Sequence, residues 1–241
     1  MLSQIVAKVE SVLDASSAGE AAANFFAAMA PLGASYCQAR LYRRPEAPLN
    51  SANHFSAGGR VFVEAPPDWP MSEAGRYVCF QHNPLLRPIR ENRTRYKFSD
   101  FAPRGDPAFG AYWDAMAEAG IGEALCATSY GADAEIASVH LGFSDPAFTA
   151  REAMEIQLAG LMLTERLLQF APPRDTARPR LSRRELDALG FAAEGKTDWE
   201  ISVILGVSEA TARFHVDNGR RKLGAVNRAQ AVARLVNQRL I

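Results

Sequence analysis

A proline-rich stretch limits the lengths of the domains into which this 241-residue chain can fold. Residues 171–180 contain three prolines and almost no apolar side chains. Because proline lacks a backbone donor and breaks helices, this stretch is expected to be an extended linker. The preceding segment, 150–170, has the apolar spacing of a long buried helix. We therefore predict a domain at 1–170, a linker at 171–180 and a second domain at 181–241.

Charge is distributed unevenly between the predicted domains, although the chain has a formal net charge of zero. From Arg174 onward the sequence holds 13 Lys/Arg and 8 Asp/Glu, a balance of +5, which leaves −5 for the remainder. A basic region attached to an acidic body favours a polyanionic partner for the basic region alone.

Several classes of protein are disfavoured by the sequence. No apolar run reaches the roughly 20 residues that cross a bilayer, and the N-terminus lacks the basic and apolar regions of a signal peptide. Cys37, Cys79 and Cys126 are scattered, so neither a disulfide framework nor a zinc site is indicated. No G-x-S-x-G motif, P-loop or metal cluster indicates an enzyme. We expect a cytoplasmic, non-enzymatic protein without a resident cofactor.

The C-terminal domain contains a series of helix start signals. In a capping box, a Ser, Thr or Asn side chain accepts from the backbone three residues on, and the Glu or Gln there bonds back. The pairs are Ser182 with Glu185, Thr197 with Glu200 and Asn227 with Gln230, and Ser208 is placed to cap a further helix. Apolar residues follow each signal at helical spacing. Four short helices are therefore predicted.

The second and third of these helices are joined by the tight segment 205–208. Gly206 supplies the positive φ that ends one helix and Ser208 starts the next, as in a helix-turn-helix. The third helix has an inward face of small and apolar residues: Ala212, Val216, Gly219 and Leu223. Its outward face is polar and mostly basic: Thr211, Arg213, Asp217, Asn218, Arg220, Arg221 and Lys222. Such a helix fits the major groove, where Arg bonds guanine edges and Lys bonds phosphates. The alternative is a surface helix with solvated charges.

Together these motifs resemble the LuxR-type DNA-binding domain. The resemblance rests on residues 181–185, 195–201, 205–211, 215–223 and 227–231. It implies that Arg213 contacts a base and that the last helix pairs with its counterpart in a homodimer. It places Thr211, Asn218 and Lys222 close to the DNA backbone, with Lys196 as a further phosphate contact. The full set of DNA-binding candidates is Lys196, Thr211, Arg213, Asn218, Arg220, Arg221 and Lys222.

The N-terminal domain has the pattern of an α+β fold. Helices are predicted at 6–15, 19–30 and 107–119. Strands are predicted at 36–42, 60–63, 124–130 and 135–143, with 53–55 as the start of another and 131–133 as a hairpin turn. Strands flanked by helices at both ends indicate an α/β/α sandwich with an antiparallel sheet. The predicted chain is this sandwich followed by a four-helix helix-turn-helix domain.

This order of elements resembles the acyl-homoserine-lactone-binding domain of quorum-sensing regulators, not a phosphorylated receiver. The likeness rests on residues 83–86, 95–100, 112–120 and 135–143. It implies that Asn83 replaces an aspartate that accepts a hydrogen bond from the ligand amide. Asparagine keeps the acceptor but loses the charge assistance. It also implies that Trp69 meets the lactone carbonyl and that His140 faces the ligand where a small polar residue is usual.

Two further positions depart from the family pattern, because Phe98 stands at a usual tryptophan and Ala124 at a usual glycine. The ligand-binding candidates are Trp69, Asn83, Phe98, Trp113 and His140. Each has an alternative interpretation as a core, strand or turn residue, since a ligand cavity in this fold is mostly apolar.

Two functional hypotheses lead, and a third, an enzyme in the N-terminal domain, is disfavoured because no catalytic motif is found. In the first, the chain is a transcription regulator whose N-terminal domain binds an acyl-homoserine lactone or a related small amphiphile. Binding would favour a dimer on a pseudo-palindromic site in double-stranded DNA. In the second, a filled core replaces the cavity and the regulator acts without a ligand. The sequence leaves the operator, the target genes and the sign of control open.

Overall fold

The computed structural model describes residue 7 and residues 9–45, 47–145, 147–172, 180–237 and 240–241, without the side chains of Pro70 and Asn237. The chain divides into two compact units, 1–172 and 173–241. Most of the predicted linker, at 173–179, lies outside the described residues.

The first unit contains a five-stranded antiparallel sheet with the strand order β2-β1-β5-β4-β3. The strands are β1 (Ala34–Arg43), β2 (Arg60–Glu64), β3 (Arg95–Lys97), β4 (Glu123–Tyr130) and β5 (Glu135–Phe143). β4 and β5 form the predicted hairpin. Because β1 pairs with β5, residues far apart in the sequence, such as Gln38 and His140, become direct neighbours.

Helices cover both faces of this sheet. They are α1 (Glu10–Asp14), α2 (Ala18–Met29), α3 (Ser51–Ser56), α4 (Glu73–Arg76), α5 (Leu86–Arg90), α6 (Gly110–Glu118) and α7 (Ala150–Gln169). A π-helical turn, Tyr77–Gln81, continues α4. Short 3₁₀ turns occur at Ala30–Leu32, Trp69–Met71, Phe98–Asp100 and Pro107–Phe109. The predicted α/β/α sandwich with an antiparallel sheet is confirmed.

The two faces of the sheet differ in what covers them. On one face α1, α2 and α7 pack on alternate strand residues, including Cys37, Leu125 and Val139, to form a large apolar core. On the opposite face, the short helices and 3₁₀ turns between residues 65 and 121 pack on a second core that contains Tyr36 and Cys126. The period of two along a strand separates the cores, since neighbouring residues point to opposite faces.

One local prediction differs from the structure, and one strand was not predicted. Residues 53–55 lie in helix α3 and do not start a strand. The reason is a capping box in which the side chains of Asn50 and Asn53 each accept from the other's backbone N–H, at 2.9 Å. Strand β3 was not predicted, because its three residues are too few to display an alternating pattern.

The second unit consists of α8 (Arg183–Ala193), α9 (Asp198–Leu205), α10 (Glu209–Lys222) and α11 (Arg228–Asn237). The predicted capping boxes before α8 and α9 are present, and Ser208 caps α10. Before α11, Asn227 Oδ1 accepts from the backbone N–H of Gln230 at 2.8 Å, as predicted. The Gln230 side chain accepts from the backbone N–H of Val226, one residue earlier than predicted. Gly206 has φ +66° at the turn between α9 and α10. The four-helix helix-turn-helix domain is confirmed.

α10 packs closely on α8 because its inward face includes a glycine. Ala212, Val216 and Leu223 are buried in the core of this unit, as predicted. A Cβ added at Gly219 would lie 2.5 Å from Cδ1 and 3.1 Å from Cγ of Leu189, which is fully buried on α8. The missing side chain therefore sets the distance between the two helices.

A partly buried ion pair also joins α8 to α10. Lys222 Nζ lies 2.7 Å from Glu185 Oε2, and Glu185 is 5% exposed. Burial by itself raises the pKa of Glu185, but hydrogen bonds from Lys222 and Ser182 outweigh it, so this pKa lies below its ordinary value of 4.5. The ion pair therefore stabilises the unit at neutral pH, and its contribution is lost as the pH falls through the folded-state pKa.

Replacing Gly219 with alanine should destabilise the second unit. Overpacking costs about 1–3 kcal/mol, against a gain of about 1 kcal/mol in helix propensity, so we expect a net loss of about 1 kcal/mol. Gly190→Ala is the matched control, because a Cβ there meets nothing within 4 Å. That variant should gain about 0.5–1 kcal/mol. Native-state hydrogen exchange of α8 and α10 measures both, and equal effects would contradict the packing argument.

Replacing Lys222 with methionine should leave the Glu185 carboxylate buried without its cation. We expect a loss of about 1–2 kcal/mol at neutral pH in urea unfolding, since the lysine is partly exposed. The difference from the parent should shrink as the pH falls through the folded-state pKa of Glu185, which lies below its ordinary value of 4.5, because protonation removes the charge. Arg221→Met removes an exposed charge from the same helix and should change stability by less. A loss for Lys222→Met that is independent of pH would count against the ion pair.

Candidate functional site

A cavity lies in the first unit between the sheet and the segments that cover its second face. It holds about 100 Å³ of free space. One water molecule needs about 10–15 Å³ by a comparable measure, so the cavity has room for a small organic molecule. The lining mixes apolar and polar side chains: Tyr36, Gln38, Arg40, Ser51, His54, Phe55, Arg60, Val63, Ala65, Trp69, Val78, Cys79, Asn83, Leu85, Phe98, Tyr112, Met116, Ile121 and His140.

Four of the five ligand-binding candidates line this cavity: Trp69, Asn83, Phe98 and His140. They come from a 3₁₀ turn, a loop, a second 3₁₀ turn and strand β5, so only the folded unit brings them together. Trp113 is outside the lining. Its Nε1 donates to the carbonyl of Ala102 at 2.9 Å, and the guanidinium of Arg104 lies 3.7 Å from its ring centroid.

The polar atoms of two of these candidates are bonded within the protein. Trp69 Nε1 donates to the carbonyl of Ala115 at 3.2 Å, so the indole contributes its ring to the cavity while its N–H is occupied. Asn83 Oδ1 accepts from the backbone N–H of Leu85 at 3.1 Å, and its Nδ2 donates to the carbonyl of Cys79 at 3.3 Å. The Asn83 oxygen retains one lone pair for a further donor.

His140 is a neutral part of the cavity floor. Burial, and secondarily the charge of Arg40, lowers the pKa of His140 to about 4. Its Nε2 lies 3.0 Å from the hydroxyl of Tyr96, and its ring meets that of Phe98 edge to face at 5.5 Å. Since its pKa is far below 7, this side chain carries no charge at neutral pH.

The charged part of the cavity was missed at the sequence level. Arg40, on β1, is 8% exposed and donates to the carbonyls of Gly58 and His54. Arg60, on β2, also lines the cavity. The sequence contained a signal for Arg40. Strand alternation places the polar residues Arg40 and Gln38 on the same face as Tyr36, and such polar residues are unusual on a buried face of a strand. This signal became informative only once that face was known to adjoin a cavity.

The DNA-binding candidates lie on the second unit and differ in availability. Arg213 has a side chain that is 65% exposed and lies 3.1 Å from Asp198, at the start of α9. Arg221 is exposed and bonds Asn218, one turn earlier on α10. Thr211 and Lys196 are half-buried, and the Thr211 hydroxyl lies 2.8 Å from that of Ser208. Arg213 and Arg221 therefore present the most accessible guanidinium groups of α10.

Two candidates on this helix have structural partners. Arg220 Nη1 donates to the carbonyl of Ala225 at 3.0 Å and its Nε bonds Asp217, so this side chain closes the C-terminal end of α10. Lys222 bonds Glu185 and the carbonyl of Arg180. Arg220 was expected to face outward, but its side chain is only 27% exposed. Phe214, which is 58% exposed, is an outward residue that was not predicted.

Within the described residues, no group of three or more His, Cys, Asp or Glu is placed to hold a metal ion. Among the helices of the described segments, none has the length and apolarity needed to cross a membrane.

Comparison with known proteins finds a family model and relatives that match parts of the chain. Residues 179–235 match the family model "Bacterial regulatory proteins, luxR family". The chain is 37% identical over 136 residues to the HTH-type quorum sensing-dependent transcriptional regulator RpaR of Rhodopseudomonas palustris, covering 56% of each chain. It is 36% identical over 114 residues to the transcriptional activator protein BjaR1 of Bradyrhizobium diazoefficiens, covering 47% of this chain and 45% of that protein. These matches span about half the length of each relative.

A solved structure extends the likeness in fold to both units. Escherichia coli SdiA is similar to this chain with a TM-score of 0.64 at 18% identity, over 99% of this chain and 98% of that one. A second structure of SdiA, in complex with octanoyl-rac-glycerol, gives a TM-score of 0.57 at 17% identity, over 98% of this chain and 94% of that one. The LuxR-family match therefore covers residues 179–235, which include the helix-turn-helix, whereas the likeness of the first unit to SdiA is one of fold.

Proposed function

We propose that this protein is a transcription regulator in which a small amphiphile bound by the first unit controls DNA binding by the second. The observation that carries the proposal is the cavity, whose apolar lining is combined with a few polar groups in the manner of small-molecule sites. A filled, non-sensing core would lack such a space. An acyl-homoserine lactone or a related amphiphile is the proposed signal, in keeping with the name of RpaR, a quorum sensing-dependent regulator.

The proposed ligand contacts use the cavity residues in different ways. Trp69 and Phe98 would pack on the ligand with their rings, because the Trp69 N–H is already bonded. Asn83 would accept a hydrogen bond from a ligand amide through its remaining lone pair, and His140 would supply a neutral polar contact. Trp113, which is outside the lining, would support the cavity wall without touching the ligand.

The proposed DNA contacts centre on α10. Arg213 would bond a base edge, with Asp198 orienting its guanidinium beforehand, and Arg221 and Asn218 would lie near phosphates. Lys196 and Thr211 remain proposed backbone contacts. Arg220 and Lys222 are proposed to act mainly by holding the helix, because both already have protein partners. A homodimer on a pseudo-palindromic site would double these contacts.

A ligand that binds the folded state alone should raise the melting temperature of the full-length protein. At a concentration of 100 times Kd the stabilisation would be about 2.7 kcal/mol. We would titrate homoserine lactones with short, medium and long acyl chains, their ring-opened acids and a cell extract, and expect a rise with one class. Val78→Phe should abolish that rise by filling the cavity, whereas Val203→Phe, at an exposed position on α9, should retain it. No rise with any addition would favour a ligand-independent regulator.

Replacing Arg213 with alanine should weaken specific DNA binding roughly tenfold or more and relax the preference at one base pair. Non-specific binding should change much less. Arg184→Ala is the control, because this exposed arginine on α8 has no hydrogen bond or ion pair among the described residues. Mobility shifts with operator fragments selected from random DNA would measure both variants. An equal loss of specific and non-specific binding by Arg213→Ala would contradict a base contact.

A further inference from the structure

Two arginines stand side by side at one end of the cavity. Arg40 and Arg60 are direct partners in the pairing of β1 with β2, and both line the cavity. Like charges placed opposite each other on neighbouring strands repel and destabilise a sheet. The position therefore requires a compensating interaction.

The protein supplies only neutral partners for the more buried of these arginines. The Arg40 guanidinium donates to the carbonyl of Gly58 from Nε at 3.0 Å and from Nη2 at 2.7 Å, and to the carbonyl of His54 at 2.8 Å. It also lies 4.4 Å from the ring centroid of Tyr42. Within the described part of the chain, neither Arg40 nor Arg60 forms an ion pair with a carboxylate. A guanidinium that is 8% exposed therefore keeps its charge beside the cavity without a counter-charge.

The remaining lining residues leave this charge uncompensated. The lining contains no Asp or Glu. Burial, followed by the charge of Arg40, lowers the pKa of His54 to about 3, so this histidine is neutral at pH 7, as His140 is. The arginines therefore make the electrostatic potential inside the cavity positive, and a positive potential attracts an anion.

Unpaired polar groups point to the same ligand chemistry. His54 Nε2 lies 2.6 Å from Arg40 Nη1, so it must accept, and its proton must lie on Nδ1. That Nδ1 and the Tyr112 hydroxyl, which is 1% exposed, are both buried without a hydrogen-bond partner in the described residues. Both residues line the cavity. Each group can donate a hydrogen bond to an acceptor-rich ligand.

We propose that the Arg40–Arg60 end of the cavity is an anion subsite, and that the signal is an amphiphile bearing a carboxylate. Arg60, which is exposed, would meet the carboxylate first, and Arg40 would bond it within the cavity. The apolar body would lie against Leu85, Phe98 and Met116. This inference rests on the proposed function, since it specifies the ligand of the same cavity.

The test compares two ligands that differ in the charge of one group. N-octanoyl-homoserine carries a carboxylate, whereas its lactone has the same acyl chain and amide but no charge. Calorimetric titration of the full-length protein, at slightly acidic pH where the lactone ring is stable, gives both affinities. We expect the carboxylate to bind about tenfold more tightly, because hydrogen bonds to a charged partner are about twice as strong as neutral ones.

A variant pair assigns the preference to the subsite. Arg60→Gln should lower the affinity for the carboxylate about tenfold and leave that for the lactone nearly unchanged. Arg95→Gln is the control, because Arg95 is an exposed cation on β3 outside the cavity lining. Arg40→Gln should act in the same direction as Arg60→Gln. It also loses bonds to two carbonyls, so its melting temperature without ligand must be measured alongside.

The outcomes separate this inference from the proposed function. Tighter binding of the lactone, or equal weakening of both ligands by Arg60→Gln, would overturn the anion subsite and leave the small-molecule regulator intact. If neither compound binds and no compound or extract raises the melting temperature, the proposed function fails together with the subsite. Preference for the carboxylate that is lost in Arg60→Gln and kept in Arg95→Gln would support both.

Discussion

The burial of both faces of one antiparallel sheet is the constraint on which the N-terminal unit depends. β1 and β5 lie in the interior of the sheet, so the side chains on each face need a covering layer. On one face the long helix α7, together with α1 and α2, supplies a continuous apolar cover. On the other face, short helices and turns follow an irregular path and cannot fill the space evenly. The cavity is the consequence of that unequal cover.

Buried arginine gives this cavity a chemical character that its fold alone would not. Arg40 bonds the carbonyls near the end of α3, so it contributes to the structure of the cavity wall, and it also carries a charge beside the cavity. Because Arg40 has both roles, a ligand bound in the cavity would affect how β1 packs against α3. A ligand bound there would therefore stabilise the cavity wall. It would raise the population of the folded conformation that binds it.

The C-terminal unit follows a different logic, because most of its contacts are local. Each of its helices begins with a cap within a few residues of its first apolar position, and its core is built from four neighbouring helices. Glycines allow its tight turn, at Gly206, and the close packing of α10 against Leu189. The tight packing leaves Arg213, Phe214 and Arg221 on the outer surface of α10, where a rigid helix can present them.

The sequence by itself determined the features that depend on near neighbours. Capping pairs such as Thr197 with Glu200, the helical period of α7 and the hairpin of β4 with β5 all act over a few residues, so a pattern in the chain specifies them. The resemblance also pointed to Trp69, Asn83, Phe98 and His140, and all four line the cavity. Only the tertiary structure decided that Trp113 lies outside the cavity and that Arg220 bonds its own helix end. It alone decided that Arg40 stands opposite Arg60, because strand register depends on pairings between distant segments, which no local pattern specifies.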